Sequence, residues 1–88
     1  MKRVIINFKK VTDRESFYDL IEKKLAPPDY FGRNLDALHD VLTEMSITLE
    51  VRSFAHLCEV LGDYADDFEK MLRATDGECE RIRVIIKE

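Results

Sequence analysis

Hydrophobic residues recur along the chain in two patterns, and three short stretches follow the pattern of β-strands. The stretches are 3–8 (RVIINF), 47–51 (ITLEV) and 82–87 (IRVIIK). The first and the last are nearly continuous apolar runs rich in β-branched residues, which predicts strands covered on both faces. The middle stretch alternates apolar and polar residues, which predicts a strand with one wetter face.

The first two helices are predicted between the first and second strands. Thr12 and Glu15 have the spacing of a capping box, and apolar residues at helical spacing then predict a helix over 13–25. Pro27 and Pro28 are expected to stop that helix. Asn34 is a favourable N-cap for a second helix over 35–45.

Helical spacing resumes after the middle strand. Ser53 is suited to capping a third helix, and the apolar pattern continues to about residue 75 with a break near Gly62. Asp76 and Gly77 then indicate a turn before the last strand. Strands separated by helices need crossover connections, so the pattern predicts an α/β fold with a small three-stranded parallel sheet packed by about four helices. Residues 1–88 are expected to form a single domain.

Composition and charge narrow the function classes. The chain has 88 residues, of which 45% are hydrophobic and 36% charged, and a formal net charge of −4. Because phosphate contacts need clustered Lys and Arg, this balance disfavours direct nucleic-acid binding and favours a basic partner. No apolar run is long enough for a signal peptide or a membrane span. We therefore expect a cytoplasmic protein in which Cys58 and Cys79 are reduced thiols.

The second predicted helix has two contrasting faces. Leu35, Leu38, Leu42 and Met45 fall in one stripe typical of core. The opposite face carries polar and charged side chains, namely Asp36, His39, Asp40, Thr43 and Glu44. Like charges four residues apart mildly destabilise a helix, and this helix contains no Lys or Arg to compensate them. This pattern favours a helix that presents negative charge to a partner.

The loop before this helix adds aromatic side chains to the same region. Tyr30, Phe31 and Gly32 follow a proline-stiffened turn. Exposed aromatic side chains beside a charged face are typical anchors of a binding surface. The alternative is that one of the two rings, more naturally that of Phe31, packs into the core.

The stretch PDYFGRNLDALHDVLT resembles the signature of the barstar family, cytosolic inhibitors of secreted guanyl-specific ribonucleases such as barnase. The opening KRVIINF and the closing IRVIIK also resemble the first and last strands of that family. The positions that carry the resemblance are Pro28, Tyr30, Gly32, Asn34, Leu35, Asp36, Ala37, Leu38, Asp40, Leu42 and Thr43.

The resemblance implies a mechanism in which the loop and the second helix plug the active site of a ribonuclease. Asp40 would be the main phosphate mimic, and Asp36 would meet basic residues at the rim. Tyr30 would cover the active-site histidine of the nuclease. Backbone, packing and polar contacts would come from Gly32, Asn34, Leu35 and Thr43. The implied protein is an inhibitor that needs no cofactor and is a monomer when free.

Four residues depart from the family pattern. His39 stands where family members commonly carry tryptophan, and Glu44-Met45 replaces a Gly-Trp pair that ends the helix. Arg33 puts a positive charge into a loop that is expected to face a basic target. These departures concern the identity of the target more than the fold.

Other functions use the same residues. His39 with Asp40 or Asp36 is a conceivable acid–base pair, but there is no nucleophile or glycine-rich phosphate loop beside it. Asp36, His39 and Asp40 also have a spacing that could hold a divalent ion, without an identifiable ligand from elsewhere. We therefore expect neither an enzyme nor a metal site. The main alternative is an immunity or adaptor protein that binds a different basic toxin or nuclease through this face.

Overall fold

The sheet of this domain is parallel and has three strands, as the pattern predicts. The computed structural model describes residues 2–29 and 31–88. Its strands are β1 (Lys2–Asn7), β2 (Ile47–Arg52) and β3 (Ile82–Ile86), in the order β1-β2-β3. Both neighbouring pairs are parallel.

Four helices connect and cover these strands. They are α1 (Arg14–Leu25), α2 (Leu35–Thr43), α3 (Phe54–Leu61) and α4 (Asp63–Glu78). The predicted α/β fold, with its three-stranded parallel sheet and about four helices, is confirmed. None of these helices, which cover the helical part of residues 2–29 and 31–88, is long and apolar enough to cross a membrane.

One hydrophobic core joins one face of the sheet to all four helices. The strands contribute alternate residues such as Ile6, Leu49 and Ile82, and each helix adds at least one buried apolar side chain. A group of stacked and edge-on aromatic rings lies among them, made of Phe8, Phe17, Tyr18, Tyr64 and Phe68. The hydroxyl groups of Tyr18 and Tyr64 are hydrogen-bonded to each other.

The other face of the sheet is open, which corrects two sequence-based predictions. Strand β1 is not covered on both faces, because Ile5 is 39% exposed. The alternation of apolar and polar residues in β2 does not mark a more solvated face either, because the polar residue Glu50 is only 1% exposed. The side chains of Arg3, Arg52 and Lys87 lie over the Glu50 carboxylate and shield it from water in place of a helix.

The caps of α1 and α3 also differ from the predictions. The capping box of α1 is formed by Asp13 and Ser16 instead of Thr12 and Glu15, with the Ser16 amide donating to Asp13 Oδ1 at 2.8 Å. Ser53 precedes α3 but forms no side-chain cap, because its backbone is left-handed (φ 62°) where a capping residue is extended. Its hydroxyl donates instead to Asn7 Oδ1 at 2.7 Å.

The predicted break near Gly62 is confirmed, whereas the predicted turn at Asp76-Gly77 is wrong. Gly62 separates α3 from α4 with φ 58°, a conformation that L side chains rarely adopt. Helix α4 continues through Gly77 to Glu78. Thr75 is buried, and its carbonyl accepts the Cys79 amide at 3.0 Å, so packing against the core overrides the local turn signal.

Candidate functional site

Helix α2 is fixed at its N-terminus by Asn34. The Asn34 backbone is extended, and its Oδ1 accepts the Ala37 amide at 2.7 Å. Leu38 and Leu42 are buried, which fixes the rotation of the helix about its own axis. The predicted cap and core stripe are therefore confirmed, and together they determine which side chains point outward.

The helix ends two residues earlier than predicted, at Thr43 instead of residue 45. The amides of Glu44 and Met45 donate to carbonyls three residues back, those of Val41 and Leu42, which tightens the last turn. Arg81 then donates to the Thr43 carbonyl at 2.9 Å, and a cation at this position also complements the helix dipole. Glu44 is therefore the C-cap residue, at the end of the carboxylate row.

The exposed side of α2 carries three carboxylates, those of Asp36, Asp40 and Glu44, which we call the acidic face. All three residues are exposed, and the Asp40 side chain is 85% exposed. Within the described residues, no Lys or Arg lies within 4.0 Å of these three carboxylates. Carboxylates four residues apart on a helix are about 6 Å apart along its axis. The predicted row of negative charge is thus present, and no described Lys or Arg pairs with it.

His39 lies between two carboxylates. Its Nδ1 is 3.9 Å from Asp40 Oδ1, and its Nε2 is 3.4 Å from Glu78 Oε2 on α4. Glu78 therefore adds a fourth carboxylate beside the acidic face. No pattern in the sequence indicates this residue, because the predicted turn at Asp76-Gly77 placed it outside any helix.

The loop before α2, residues 26–34, packs on α1 through Phe31. The Phe31 ring centroid is 6.0 Å from that of Tyr18, and the side chain is partly buried against the core. Of the two possibilities for Phe31, the structure shows the packed one. Tyr30, the other aromatic residue, lies outside the described residues.

Arg33 is bound within the molecule. Its Nη2 donates to the Glu15 carbonyl at 2.9 Å and to Asp19 Oδ1 at 2.8 Å, and its Nε is 3.9 Å from Glu22 Oε2. The hydrogen bond that Arg33 donates to Asp19 raises the pKa of the guanidinium group above its ordinary value. This positive charge is therefore matched by carboxylates of α1. Arg33 is therefore not an unmatched positive charge that would repel a basic target.

A cleft of about 300 Å³ separates the loop from α2. Its walls combine apolar groups with two carboxylates of the acidic face, those of Asp40 and Glu44, and they also include Pro28, Phe31, Gly32, Ala37, Val41 and Thr43. A Cβ atom on Gly32 would lie 3.2 Å from Asn34 Nδ2, so the absence of a side chain there keeps the loop close to the cap. The cleft has the composition expected of a site for a basic or aromatic side chain.

Thr43 and Leu35 are the remaining residues of the predicted site. The Thr43 hydroxyl donates to the Asp40 carbonyl at 2.9 Å, and Leu35 is half-buried. Across residues 2–29 and 31–88, no group of three or more His, Cys, Asp or Glu side chains is arranged to hold a metal ion. Cys58 and Cys79 are both free thiols.

An exposed row of carboxylates beside a cleft, on a small α/β domain, is a surface suited to a basic partner. Comparison with known proteins gives the class of the molecule. The family model described as Barstar (barnase inhibitor) matches residues 1–87. The chain is also 35% identical to "Putative ribonuclease inhibitor YrdF" of Bacillus subtilis (strain 168), over 99% of this chain and 100% of that protein.

The chain belongs to the barstar family. Membership places it among inhibitor proteins, with ribonucleases as the targets of the family, and it is not an enzyme. The resemblance to this family carried by PDYFGRNLDALHDVLT is thereby confirmed, and the match extends over nearly the whole chain.

Proposed function

We propose that this protein inhibits a guanyl-specific, barnase-like ribonuclease by occupying its active site with the acidic face and the loop 26–34. The observation that carries the proposal is Asp40, whose carboxylate is exposed at the edge of the cleft with no Lys or Arg partner among the described residues. The family match and the name of the Bacillus relative support the same activity.

The mechanism follows from what a ribonuclease must bind. Its active site is a basic slot shaped for a polyanion, so a rigid row of carboxylates competes with the phosphates of RNA. Asp40 is the central phosphate mimic, because it lines the cleft and is the middle one of the three carboxylates. Asp36, one turn nearer the N-terminus, and Glu44, at the helix end, meet basic residues at the rim.

The loop contributes shape to this interface. Gly32, Asn34 and Leu35 offer backbone and packing contacts at the start of α2, and Thr43 offers a polar contact at its end. The Phe31 ring packs against the Tyr18 ring and so holds the loop on α1. Tyr30 would cover the active-site histidine of the nuclease, a role carried over from the family resemblance alone.

An immunity or adaptor role against a different basic toxin or nuclease is the second candidate. The arrangement of His39 between Asp40 and Glu78 favours it, since it gives this side of the acidic face a different shape and charge from a tryptophan. Both candidates predict a basic partner, no direct binding of nucleic acid, a cytoplasmic location and a monomer at assay concentrations.

The test is titration of a barnase-like guanyl ribonuclease with the wild-type protein, Asp40→Ala and Glu44→Ala. A central, desolvated charge pair that loses one partner costs about 3–5 kcal/mol, whereas a rim pair contributes about 0.2–1 kcal/mol. We therefore expect the inhibition constant to rise at least about 100-fold for Asp40→Ala and less than about fivefold for Glu44→Ala.

Asp67→Ala is the matched control, because Asp67 is an exposed carboxylate on α4. It should inhibit as the wild type does, and thermal unfolding should show that all variants are folded. Equal, small effects of Asp40→Ala and Glu44→Ala would refute Asp40 as the phosphate mimic. Failure to inhibit this ribonuclease, together with tight inhibition of another basic nuclease that depends on Asp40, would favour the second candidate.

A further inference from the structure

The open face of the sheet is a second charged surface, opposite in sign to the acidic face. Strand register places its side chains in three rows across β1, β2 and β3. Because side chains alternate along a strand, the residues on this face are every second one. The rows are Arg3, Thr48 and Arg83; then Ile5, Glu50 and Ile85; then Asn7, Arg52 and Lys87, which follows β3. We call these nine residues the sheet face.

Three of the four cations of the sheet face surround one buried carboxylate. Glu50 Oε1 is 3.1 Å from Arg3, and Glu50 Oε2 is hydrogen-bonded to Arg52 and lies 3.9 Å from Lys87. One carboxylate cannot neutralise the guanidinium and ammonium groups around it. The side chains of Arg3, Arg52 and Lys87 stay 55%, 46% and 58% exposed, so their outer surfaces are available to a partner.

The chemistry of the sheet face favours an acidic protein surface over nucleic acid. None of its nine residues is aromatic, so single-stranded bases have no side chain on which to stack. Ile5 and Ile85 flank Glu50 in the middle row, and Ile5 is exposed. Apolar groups in the middle with charges around them are typical of a protein–protein interface.

The chain itself carries a surface that matches in charge and in spacing. The carboxylates of Asp36, Asp40 and Glu44 follow one another at about 6 Å along α2. Arg83 and Lys87 are four residues apart at the β3 edge of the sheet face, which corresponds to about 13 Å along the strand direction. Asp36 and Glu44 are about 12 Å apart along α2. A helix laid along β3 can therefore bring Asp36 and Glu44 next to these two cations.

We propose that the sheet face binds the acidic face of a second copy of this chain. The two surfaces differ, so the contact is head-to-tail and does not close into a symmetric dimer. The acidic face is the same surface that the proposed function assigns to a ribonuclease. The self-association nevertheless needs no ribonuclease, so it is tested independently of the proposed function.

The association is weak, because a patch of nine residues buries less than the roughly 1,200 Å² of a stable interface. Long-range repulsion between two copies of net charge −4 is screened beyond about 10 Å at 0.1 M salt, whereas charges in direct contact are screened less at that salt concentration. A ribonuclease with a larger interface would displace the second copy. At high protein concentration the contact would cover the acidic face against other basic surfaces.

The experiment measures the weight-average mass of the purified protein by sedimentation or light scattering. With a dissociation constant of about 1 mM, head-to-tail association gives about twice the 10.3 kDa monomer mass at about 1 mM protein, and nearly the monomer mass at about 20 µM. Raising the salt from about 0.1 M to about 0.5 M should return the mass towards the monomer.

Two variants, in which charged side chains are replaced by neutral ones of similar shape, test the head-to-tail contact directly. The first is Arg3→Gln/Arg83→Gln/Lys87→Gln, which keeps Arg52 on Glu50. The second is Asp36→Asn/Asp40→Asn/Glu44→Gln. Each alone should remain a monomer, because it lacks one of the two surfaces. A mixture of both should form a dimer limited to one copy of each, since the intact acidic face of the first binds the intact sheet face of the second.

The matched control is Lys23→Gln/Lys24→Gln/Lys70→Gln, which removes the same number of exposed cations away from the sheet face. It should associate as the wild type does, and thermal unfolding should confirm the fold of each variant. A monomer mass at every concentration, or a mixture that stays monomeric, would overturn the proposal. So would binding of a labelled RNA oligonucleotide that requires the sheet-face cations in a protein that does not self-associate.

Discussion

Replacing Asn34 by alanine should loosen the helix that presents the acidic face. Asn34 Oδ1 accepts the Ala37 amide at 2.7 Å, and no other side chain caps this end of α2 in the described part of the chain. The second contact of the side chain, from Nδ2 to the Gly32 carbonyl, is 3.4 Å long and adds little. The effect of the substitution is therefore the loss of one helix cap.

The loss of an N-cap costs about 0.5–2 kcal/mol. For a domain of this size, each 1 kcal/mol lowers the midpoint of thermal unfolding by about 4–8 °C. We thus expect Asn34→Ala to lower the melting temperature by about 4–8 °C for a typical cap of about 1 kcal/mol. Because α2 has nine residues, its first turn should also fray, and the Ala37 amide should exchange with solvent faster.

Urea and thermal unfolding of three variants would measure this effect. Asn34→Asp keeps an oxygen acceptor at the cap and places a negative charge at a helix N-terminus, so it should stay close to the wild type. Asn34→Gly should lose only a few tenths of a kcal/mol. An unchanged melting temperature for Asn34→Ala, or an equal loss for Asn34→Asp, would refute the cap as the source of stability at this site.

Two further predictions concern glycines and acid stability. Gly77→Ala should stabilise the protein by about 0.4–1 kcal/mol in urea unfolding, because Gly77 lies inside α4 and, apart from its chain neighbours and the backbone of α4, no atom of the described residues lies within 4 Å of the added Cβ. Gly62→Ala should instead destabilise it, because φ is 58° there, and an equal gain from both would contradict this. The hydrogen bond from Arg52 lowers the pKa of Glu50 below 4.5, so its contribution to stability is fully present above pH 4.5 and is lost as the pH falls further. Glu50→Gln should therefore be less stable than the wild type at neutral pH, and that difference should shrink in unfolding measurements below pH 4.5.

The fold could be predicted because its signals are local and periodic. The β-branched runs, the helical spacing of Leu35, Leu38 and Leu42, and the cap at Asn34 all point to the elements that the structure contains. The predictions failed where tertiary contacts decided the outcome. Asp76-Gly77 is a turn signal on its own, but packing of the buried Thr75 keeps α4 helical past it.

The same distinction applies to the site. The outward row of Asp36, Asp40 and Glu44 follows from helical geometry alone, so the sequence was sufficient to predict it. Glu78 reaches His39 from a different helix, and no spacing within the sequence indicates such a contact. The burial of Glu50 likewise depends on cations from all three strands.

Arg33 shows why charges on a binding loop cannot be summed from sequence. Taken alone, it weakens the case for a basic target, because it lies one residue before the cap of the acidic helix. In the folded chain its guanidinium contacts Asp19 and Glu22 of α1, so its charge is matched there, while the carboxylates of α2 have no such partner. The same contacts tie the loop to α1 at a residue with a left-handed backbone (φ 52°). A cation that would repel the partner if it were free therefore helps to hold the loop in place, and the acidic face is left to set the sign of the charge that a partner meets.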